Sequence, residues 1–227
     1  MSSLPPEGAH FALGRPGGEI MSFLPKGTVY GVLLNFRAEL EALAPLMTQA
    51  PYKAAPKAPI LYVKTANTWS PSGSAITVPL HVDAVEVGAT IAMVIGADND
   101  VEGFVLMNDL SIPHASFFRP PVKFKCLDGF LGIGPAMRDA QEVSDPAEFR
   151  LEVRINGELR QSVDFSKTVR NASQLLEDVG AFMTLAHGDV LTLGCDAGRP
   201  LARAGDTIEI SAPGFETLTN TLVKEQA

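Results

Sequence analysis

The sequence predicts a mixed, mainly β fold with a few short helices, and three observations indicate it. Two apolar runs, 85–96 and 101–107, are too continuously hydrophobic for surface strands and are typical of a sheet buried on both faces. The dipeptide Asn156-Gly157 lies between two strand-like segments, which is a strong signal for a β-hairpin. Helix-like spacing of apolar residues is found in two segments, 36–50 and 173–186.

Length and composition narrow the class of protein. A chain of 227 residues can bury a substantial core in one domain. Its net charge of −8 argues against binding to nucleic acid, which needs a basic face. No apolar run reaches the ~18 residues of a membrane span, and the N-terminus lacks a basic start followed by a signal-peptide core. We therefore expect a cytoplasmic protein.

The first half of the chain alternates between strands and loops. Residues 1–26 are rich in Gly and Pro and are predicted to form an N-terminal extension to a single domain, 27–227. The predicted elements that follow are a strand at 27–35, a helix at 36–50 interrupted by Pro45, a proline-rich loop at 50–59, and strands at 60–64 and 75–78. The two apolar runs come next, and Asn108-Asp109 stands at the end of the second run. Acidic groups at the end of a buried strand favour a site at the mouth of the sheet.

The second half is irregular at first and then returns to strands. Prolines and glycines interrupt 111–139, and a long irregular segment beside a buried sheet is usually functional or a lid. The hairpin strands are predicted at 148–155 and 158–165. The helix at 173–186 is expected to be capped by Asn171 and to leave through the turn 187–189. Strands at 190–193, 207–211 and 216–223 complete the domain.

Several short motifs carry a resemblance to a known family. They are Tyr62-Val63-Lys64, 85–96, Asn108-Asp109, 125–130, Asn156-Gly157 and 185–190. Together they resemble the fumarylacetoacetate hydrolase family from about Gly27 to Val223. The resemblance implies that family's β-sandwich or β-roll fold. The stretches GTVYGVLLNFRAEL, APYKAAPKAPILYVKTANT and SFFRPPVKFKCLDGF look most like the N-terminal half of the family's two-part isomerase/decarboxylases.

The resemblance also implies a Mg²⁺ or Mn²⁺ ion, held by Glu-x-Glu on one strand and an Asp on the next. Aligned on Val-Ile-Gly at 94–96, the two glutamate positions fall at Gly88 and Thr90, which supply no carboxylate. Asp109 remains, and Glu86 is a candidate second ligand, although it lies two strand residues, about 6.6 Å, from Gly88. We predict a weak metal site at Asp109 and expect this chain to bind Mg²⁺ or Mn²⁺ poorly. We also expect Asp109→Ala to leave the fold intact.

Two further motifs of the family are altered. Counted from Asn35, the positions of the family's lid histidine and glutamate fall at Glu39 and Ala42, so a His–Glu pair for proton transfer cannot form there. The family's Gly-Thr-Pro reads Gly194-Cys195-Asp196.

The positions that match the family are those that would face an anionic substrate. The resemblance assigns substrate binding to Lys64 and Arg119, and catalysis to Lys125 and Asp128. A lysine near an enolate can stabilise negative charge or move protons, and an aspartate beside it would hold its orientation. The alternative is that Lys125 and Asp128 form a structural ion pair under the loop.

Three functions stay open at this point. The first is a subunit of an isomerase/decarboxylase that acts on 2-oxo-heptene-type dicarboxylates in aromatic (4-hydroxyphenylacetate) catabolism. The second is a non-catalytic half that stabilises a metal-carrying partner. The third is a stand-alone hydrolase or decarboxylase of a related oxo acid that uses Glu86, Asp109 and His114. The expected partners are a small anionic 2-oxo acid and a second subunit, in a homodimer or in a heterodimer with a paralogous metal-carrying chain.

Overall fold

A computed structural model describes residues 22–114, 116, 118 and 121–226 of the chain. The described helices are α1 (Arg37–Met47), α2 (Val122–Lys125) and α3 (Ala172–Gly180). The strands, in chain order, are β1 (Val29–Leu33), β2 (Ile60–Lys64), β3 (Trp69–Pro71), β4 (Ala75–Val78), β5 (Val85–Glu86), β6 (Ala89–Ile95), β7 (Val101–Asp109), β8 (Leu131–Ile133), β9 (Arg138–Asp139), β10 (Arg150–Ile155), β11 (Glu158–Asp164), β12 (Val190–Thr192), β13 (Leu201–Ala202), β14 (Thr207–Ser211) and β15 (Leu218–Lys224). The predicted mixed, mainly β fold with a few short helices is confirmed.

The strands of the described residues form two large sheets and a short pair. The larger sheet has eight strands in the order β2-β1-β12-β6-β7-β8-β3, with β9 beside β7. The smaller has five strands in the order β11-β10-β14-β15-β4, while β5 and β13 pair with each other. The main core contains residues of both sheets, among them Ile91 of β6 and Val153 of β10. The two sheets are therefore packed face to face over a shared core.

The central strands β6 and β7 are buried on both faces, as their apolar runs predict. Along β6, Ile91 and Met93 join the main core, while Ala92 and Val94 belong to a second cluster on the opposite face. This alternation follows from the two-residue period of a strand. The predicted single run 85–96 is nevertheless divided in the structure, because β5 ends at Glu86 and pairs with β13 rather than with β7.

The eight-stranded sheet is strongly curled. Strands β2 and β7 are four positions apart in the sheet order, which would separate them by about 19 Å in a flat sheet. The hydroxyl group of Tyr62 on β2 nevertheless donates a hydrogen bond to the carboxylate of Asp109 on β7. The sheet therefore bends until its inner face closes on itself, as expected for a β-roll.

The hairpin and the cap of α3 are confirmed, and the end of α3 differs from the prediction. Asn156 and Gly157 have φ values of 54° and 79°, which are those a two-residue hairpin turn of type I′ requires. The Asn171 side chain accepts a hydrogen bond of 2.9 Å from the amide of Gln174. The helix stops at Gly180 rather than at residue 186, since glycine is a poor helix former.

Other boundaries also differ from the sequence-based expectation. Helix α1 continues through Pro45 to Met47 instead of breaking there. The segment 111–139, expected to be irregular, contains α2, β8 and β9. The boundary between an extension at 1–26 and a domain at 27–227 stays a prediction, because residues 1–21 lie outside the described residues. Within the described part of the chain, no helix combines the length and apolar character needed to cross a membrane.

Gly31 on β1 tests the packing that places Tyr62. A Cβ atom at Gly31 would overlap the ring of Tyr62, which lies against this glycine. We expect Gly31→Ala to lower the free energy of unfolding by about 1–3 kcal/mol, because the ring must move out of its position. Urea unfolding followed by circular dichroism measures the change.

The matched control for this substitution is Gly180→Ala at the end of α3. The nearest atom to an added Cβ there is Asn99 Nδ2, at 3.9 Å, so this substitution should not destabilise the protein and, as a replacement of a helical glycine by alanine, should raise its stability by up to about 1 kcal/mol. If Gly31→Ala were as stable as the control, the close approach of Tyr62 to β1 would be refuted.

Candidate functional site

The centre of the candidate site is the carboxylate of Asp109. Asp109 is the last residue of β7, and its carboxylate lies inside the curled sheet. Lys64 Nζ lies 2.9 Å from Asp109 Oδ1, and Lys125 Nζ lies 2.6 Å from Asp109 Oδ2. The hydroxyl of Tyr62 donates to Oδ2 as well. All of these side chains are buried. A buried carboxylate is thus paired with two ammonium groups and also accepts a hydrogen bond from a phenol.

Lys64 connects four parts of the chain at this point. Besides its ion pair with Asp109, its ammonium group donates to the carbonyl oxygens of Phe130 (2.7 Å), Leu110 (3.2 Å) and Lys125. An ammonium group has three N–H donors, so these contacts occupy all of them. Lys64 therefore ties β2 to the end of β7, to α2 and to the loop before β8.

The electrostatics fix the protonation states in this cluster. Burial alone raises the pKa of Asp109, but the charges of Lys125 and Lys64 and the hydrogen bonds outweigh it and hold that pKa well below its ordinary value. Burial, reinforced by Asp109, raises the pKa of Tyr62 well above its ordinary value. Burial lowers the pKa of Lys64, with Asp109 opposing the change. Asp109 is accordingly ionised and Tyr62 is a neutral hydrogen-bond donor.

A second ion cluster lies next to the first and is centred on Arg199, in the loop between β12 and β13. Arg199 Nη2 contacts Glu39 Oε1 of α1, and Arg199 Nη1 lies 3.4 Å from Glu86 Oε2 of β5. The other oxygen of Glu39 accepts a 2.8 Å hydrogen bond from the amide of Leu34. This guanidinium group therefore joins α1 to β5 across the mouth of the curled sheet.

The two clusters act on each other and on Cys195. Burial raises the pKa of Glu39, while Arg199 and, more weakly, Lys125 oppose the change. Burial, reinforced by Asp109, raises the pKa of Cys195 to about 12. Cys195 is therefore a buried neutral thiol and is unsuited to act as a nucleophile.

The two positions where the resemblance places glutamate ligands lie beside Asp109 on the same face of the sheet. The amide of Asp109 donates to the carbonyl of Gly88 at 2.8 Å, and a Cβ at Gly88 would overlap the backbone of Asp109. The hydroxyl of Thr90 donates to the carbonyl of Gly194 at 2.6 Å. Neither position presents a carboxylate to a cation.

The other predicted site residues are distributed unevenly. Asp128 accepts a 2.6 Å hydrogen bond from Asn67 Nδ2 and makes no ion pair with Lys125, so the expected pairing of Lys125 with Asp128 is wrong and Asp109 takes that place. Arg119 lies outside the described residues. His114 stacks on Phe124 at 4.6 Å between ring centroids. The catalytic and substrate-binding roles assigned to these positions stay predictions.

Comparisons with known proteins define the family. The model of the fumarylacetoacetate (FAA) hydrolase C-terminal domain matches residues 28–223. The chain belongs to the fumarylacetoacetate hydrolase family. It is 35% identical over 211 residues to the 4-hydroxyphenylacetate degradation bifunctional isomerase/decarboxylase of Escherichia coli, covering 88% of this chain and 48% of that protein. The chain thus spans about half the length of this curated relative.

Solved structures of the family share the fold. The 5-carboxymethyl-2-hydroxymuconate delta-isomerase of Mycobacterium smegmatis is similar with a TM-score of 0.69 and 26% identity, over 88% of this chain and 80% of that one. The fumarylpyruvate hydrolase of Pseudomonas aeruginosa, solved with Mn²⁺ and pyruvate, has a TM-score of 0.74 and 20% identity, over 88% and 90%. The predicted β-sandwich or β-roll of the fumarylacetoacetate hydrolase family is confirmed.

The residues around Asp109 do not fit the divalent cation that the family resemblance implies. Both oxygens of Asp109 already face ammonium groups, and a cation there would be repelled by two buried positive charges. Glu86 is engaged by Arg199. In the part of the chain that the structure describes, no group of three or more His, Cys, Asp or Glu side chains is arranged to hold a metal ion.

Sequence reasoning missed Tyr62 and Arg199. Tyr62 could have been found, because it stands two residues before Lys64 on a strand and must therefore share its face. Arg199 had no comparable signal, since its partner Glu39 is 160 residues away in the chain.

Asp109→Ala tests the charge balance at the centre of the site. The structure speaks against the expectation that this change leaves the fold intact, because the substitution leaves Lys64 and Lys125 buried without their counter-ion. We expect the free energy of unfolding to fall by about 3–5 kcal/mol, measured by urea unfolding at pH 7.

Two further variants make this prediction specific to the buried charges. Adding Lys125→Met to Asp109→Ala should recover part of the lost stability, because one uncompensated charge is removed. Asp128→Ala, which breaks only the contact with Asn67, should cost less than about 1 kcal/mol. Equal losses for Asp109→Ala and Asp128→Ala would contradict a buried ion cluster.

The two cysteines should differ in reactivity. With a pKa of about 12, Cys195 is a thiolate in only about one molecule in 10⁴ at pH 8, whereas Cys126 is partly exposed. Iodoacetamide should therefore add once to the native protein, at Cys126, and twice in guanidinium chloride. Peptide mass spectrometry locates the adduct, and native labelling of Cys195 would show that the interior is open.

Proposed function

We propose that this chain is a subunit of an isomerase/decarboxylase that acts on 2-oxo-heptene-type dicarboxylates in aromatic (4-hydroxyphenylacetate) catabolism, and that its own metal site is degenerate. The level of identity to the E. coli bifunctional isomerase/decarboxylase supports the reaction class. Because this chain corresponds to 48% of that protein, the activity of the whole relative carries over only as a proposal.

One observation carries the proposal of a degenerate metal site: Gly88 and Thr90 stand where the family resemblance places two glutamate ligands, so Asp109 has no carboxylate beside it to share a cation. A cation-assisted enolisation requires a carboxylate that is free to bind the ion. Both oxygens of Asp109 face ammonium groups, and Glu86 is engaged by Arg199. In this proposal, the metal-dependent step takes place on a second subunit that retains the Glu-x-Glu pair.

The proposed assembly follows from the same reasoning. A chain without a metal site of its own contributes to catalysis only in contact with a metal-carrying paralogue, so we propose a heterodimer in the cytoplasm, with a homodimer as the alternative. The substrate is a small anionic 2-oxo acid. Mg²⁺ or Mn²⁺ is then the cofactor of the partner.

A second candidate function is a non-catalytic half that stabilises its partner. The ion pairs of Arg199 with Glu39 and Glu86 favour it, because they occupy the mouth of the site with internal contacts. A stand-alone hydrolase that uses Glu86 with Asp109 has less support, because these two carboxylates belong to separate ion clusters.

Calorimetric titration of the purified chain with Mn²⁺, with and without oxalate, tests the proposal. We expect no stoichiometric binding, because the buried positive charges oppose a cation beside Asp109. Binding of about one ion per chain would refute the degenerate site. The control is the paralogous chain with an intact Glu-x-Glu pair, which should bind one ion under the same conditions.

An activity assay separates the two subunit roles. Isomerisation and decarboxylation of the 2-oxo-heptene dicarboxylate are followed spectrophotometrically with each chain alone and with both mixed. A rate in the mixture well above that of the paralogue alone supports the catalytic subunit. An unchanged rate together with a higher melting temperature of the paralogue supports the stabilising half.

A further inference from the structure

The contacts of the Glu39 side chain are those of a bound carboxylate ligand. One oxygen contacts the guanidinium group of Arg199, and the other accepts a hydrogen bond of 2.8 Å from the amide of Leu34. Arginine and a backbone amide are the donors that proteins commonly use to hold a carboxylate. Glu39 is 5% exposed, so this binding takes place inside the protein.

The side chains around the Glu39 carboxylate carry more positive than negative charge, and one of their N–H donors has no partner among the described residues. Lys125 acts on Glu39 from α2. Arg199 Nε is buried with no hydrogen-bond partner among the described residues. Two other carboxylates lie nearby. Glu86 also pairs with Arg199, and Asp109 helps to raise the pKa values of neighbouring Tyr62 and Cys195. Without Glu39, two carboxylates would face the three cations Lys64, Lys125 and Arg199, so the site would lack one negative charge.

We propose that Arg199 and the amide of Leu34 form a binding site for a small carboxylate, and that the side chain of Glu39 fills this site from within the chain. The ligand class is a short aliphatic carboxylate, free or as one end of a larger acid. Arg199 supplies the charge and Leu34 supplies the second donor. The proposal concerns residues outside the Asp109 cluster and does not depend on the reaction proposed above.

Occupation from within the chain has a measurable consequence. A carboxylate attached to α1 competes with free ligand at a high effective concentration. The wild-type chain should therefore bind free carboxylates at least tenfold more weakly than a chain that lacks Glu39. Removing the competitor, rather than adding a binding group, should expose the site.

Glu39→Ala provides the test, because it removes Cγ, Cδ and both carboxylate oxygens, which correspond to the atoms of an acetate ion. The melting temperature of this variant is measured in sodium acetate and in sodium chloride of equal ionic strength. Acetate should raise the melting temperature of Glu39→Ala by about 3 °C or more relative to chloride. The wild-type protein should show a difference of less than about 1 °C.

The double variant Glu39→Ala/Arg199→Met is the matched control. It keeps the space left by the Glu39 side chain but removes the guanidinium group of Arg199, so the acetate effect should disappear. Calorimetric titration with acetate should detect binding to Glu39→Ala alone. An equal effect of acetate and chloride, an effect that persists in the double variant, or equal binding to the wild type would overturn the proposal.

A failure of Glu39→Ala to fold in chloride does not end the test. Recovery of folded protein on refolding in acetate, and not in chloride, is then the supporting result. If neither salt gives folded protein, Glu39→Ser with formate replaces the pair, because it leaves a smaller space. Absence of formate-specific stabilisation in that variant would overturn the proposal. None of these outcomes depends on metal binding or on the activity of a partner.

Discussion

The ionised carboxylate of Asp109, buried inside the curled sheet, is the constraint on which the rest of the structure depends. A carboxylate away from water is costly unless it is paired and hydrogen-bonded. The partners come from β2, which lies more than 40 residues before Asp109, and from α2, which follows β7 in the chain. To bring Tyr62 and Lys64 to Asp109, the sheet has to curl; to bring Lys125, α2 has to pack against the open end of the roll. The positions of β2 and α2 and the balance of charge around Asp109 therefore depend on each other.

The same balance of charge extends to the neighbouring cluster around Arg199. Three cationic side chains face three carboxylates in the two clusters: Lys64, Lys125 and Arg199 against Asp109, Glu39 and Glu86. The formal charges therefore cancel. Gly88 and Thr90 add no negative charge beside Asp109, so the side chains of the two clusters leave no excess of carboxylates for a divalent ion to neutralise.

Much of this fold could be predicted from the sequence, because it is encoded locally. The two-face burial of β6 and β7, the Asn156-Gly157 hairpin and the Asn171 cap each depend on a few neighbouring residues. The site was only partly predictable. Position 109 was identified as the surviving carboxylate, but its role depends on Tyr62, which the curl of the sheet brings to it, and on Lys125, which the packing of α2 brings to it. The contact between Glu39 and Arg199 is set by tertiary packing alone.

The ion pair of Glu39 also determines how freely α1 can move. This helix begins where the family resemblance places its catalytic lid, yet its first turn is held to Arg199 and to the amide of Leu34, a residue with a φ of 59°. Loss of one partner of a buried ion pair costs about 3–5 kcal/mol, so this contact holds the first turn of α1 firmly in place. A ligand or partner that displaces Glu39 from Arg199 must supply that free energy through its own contacts, and a carboxylate is the group best suited to do so, because it can replace the same interactions.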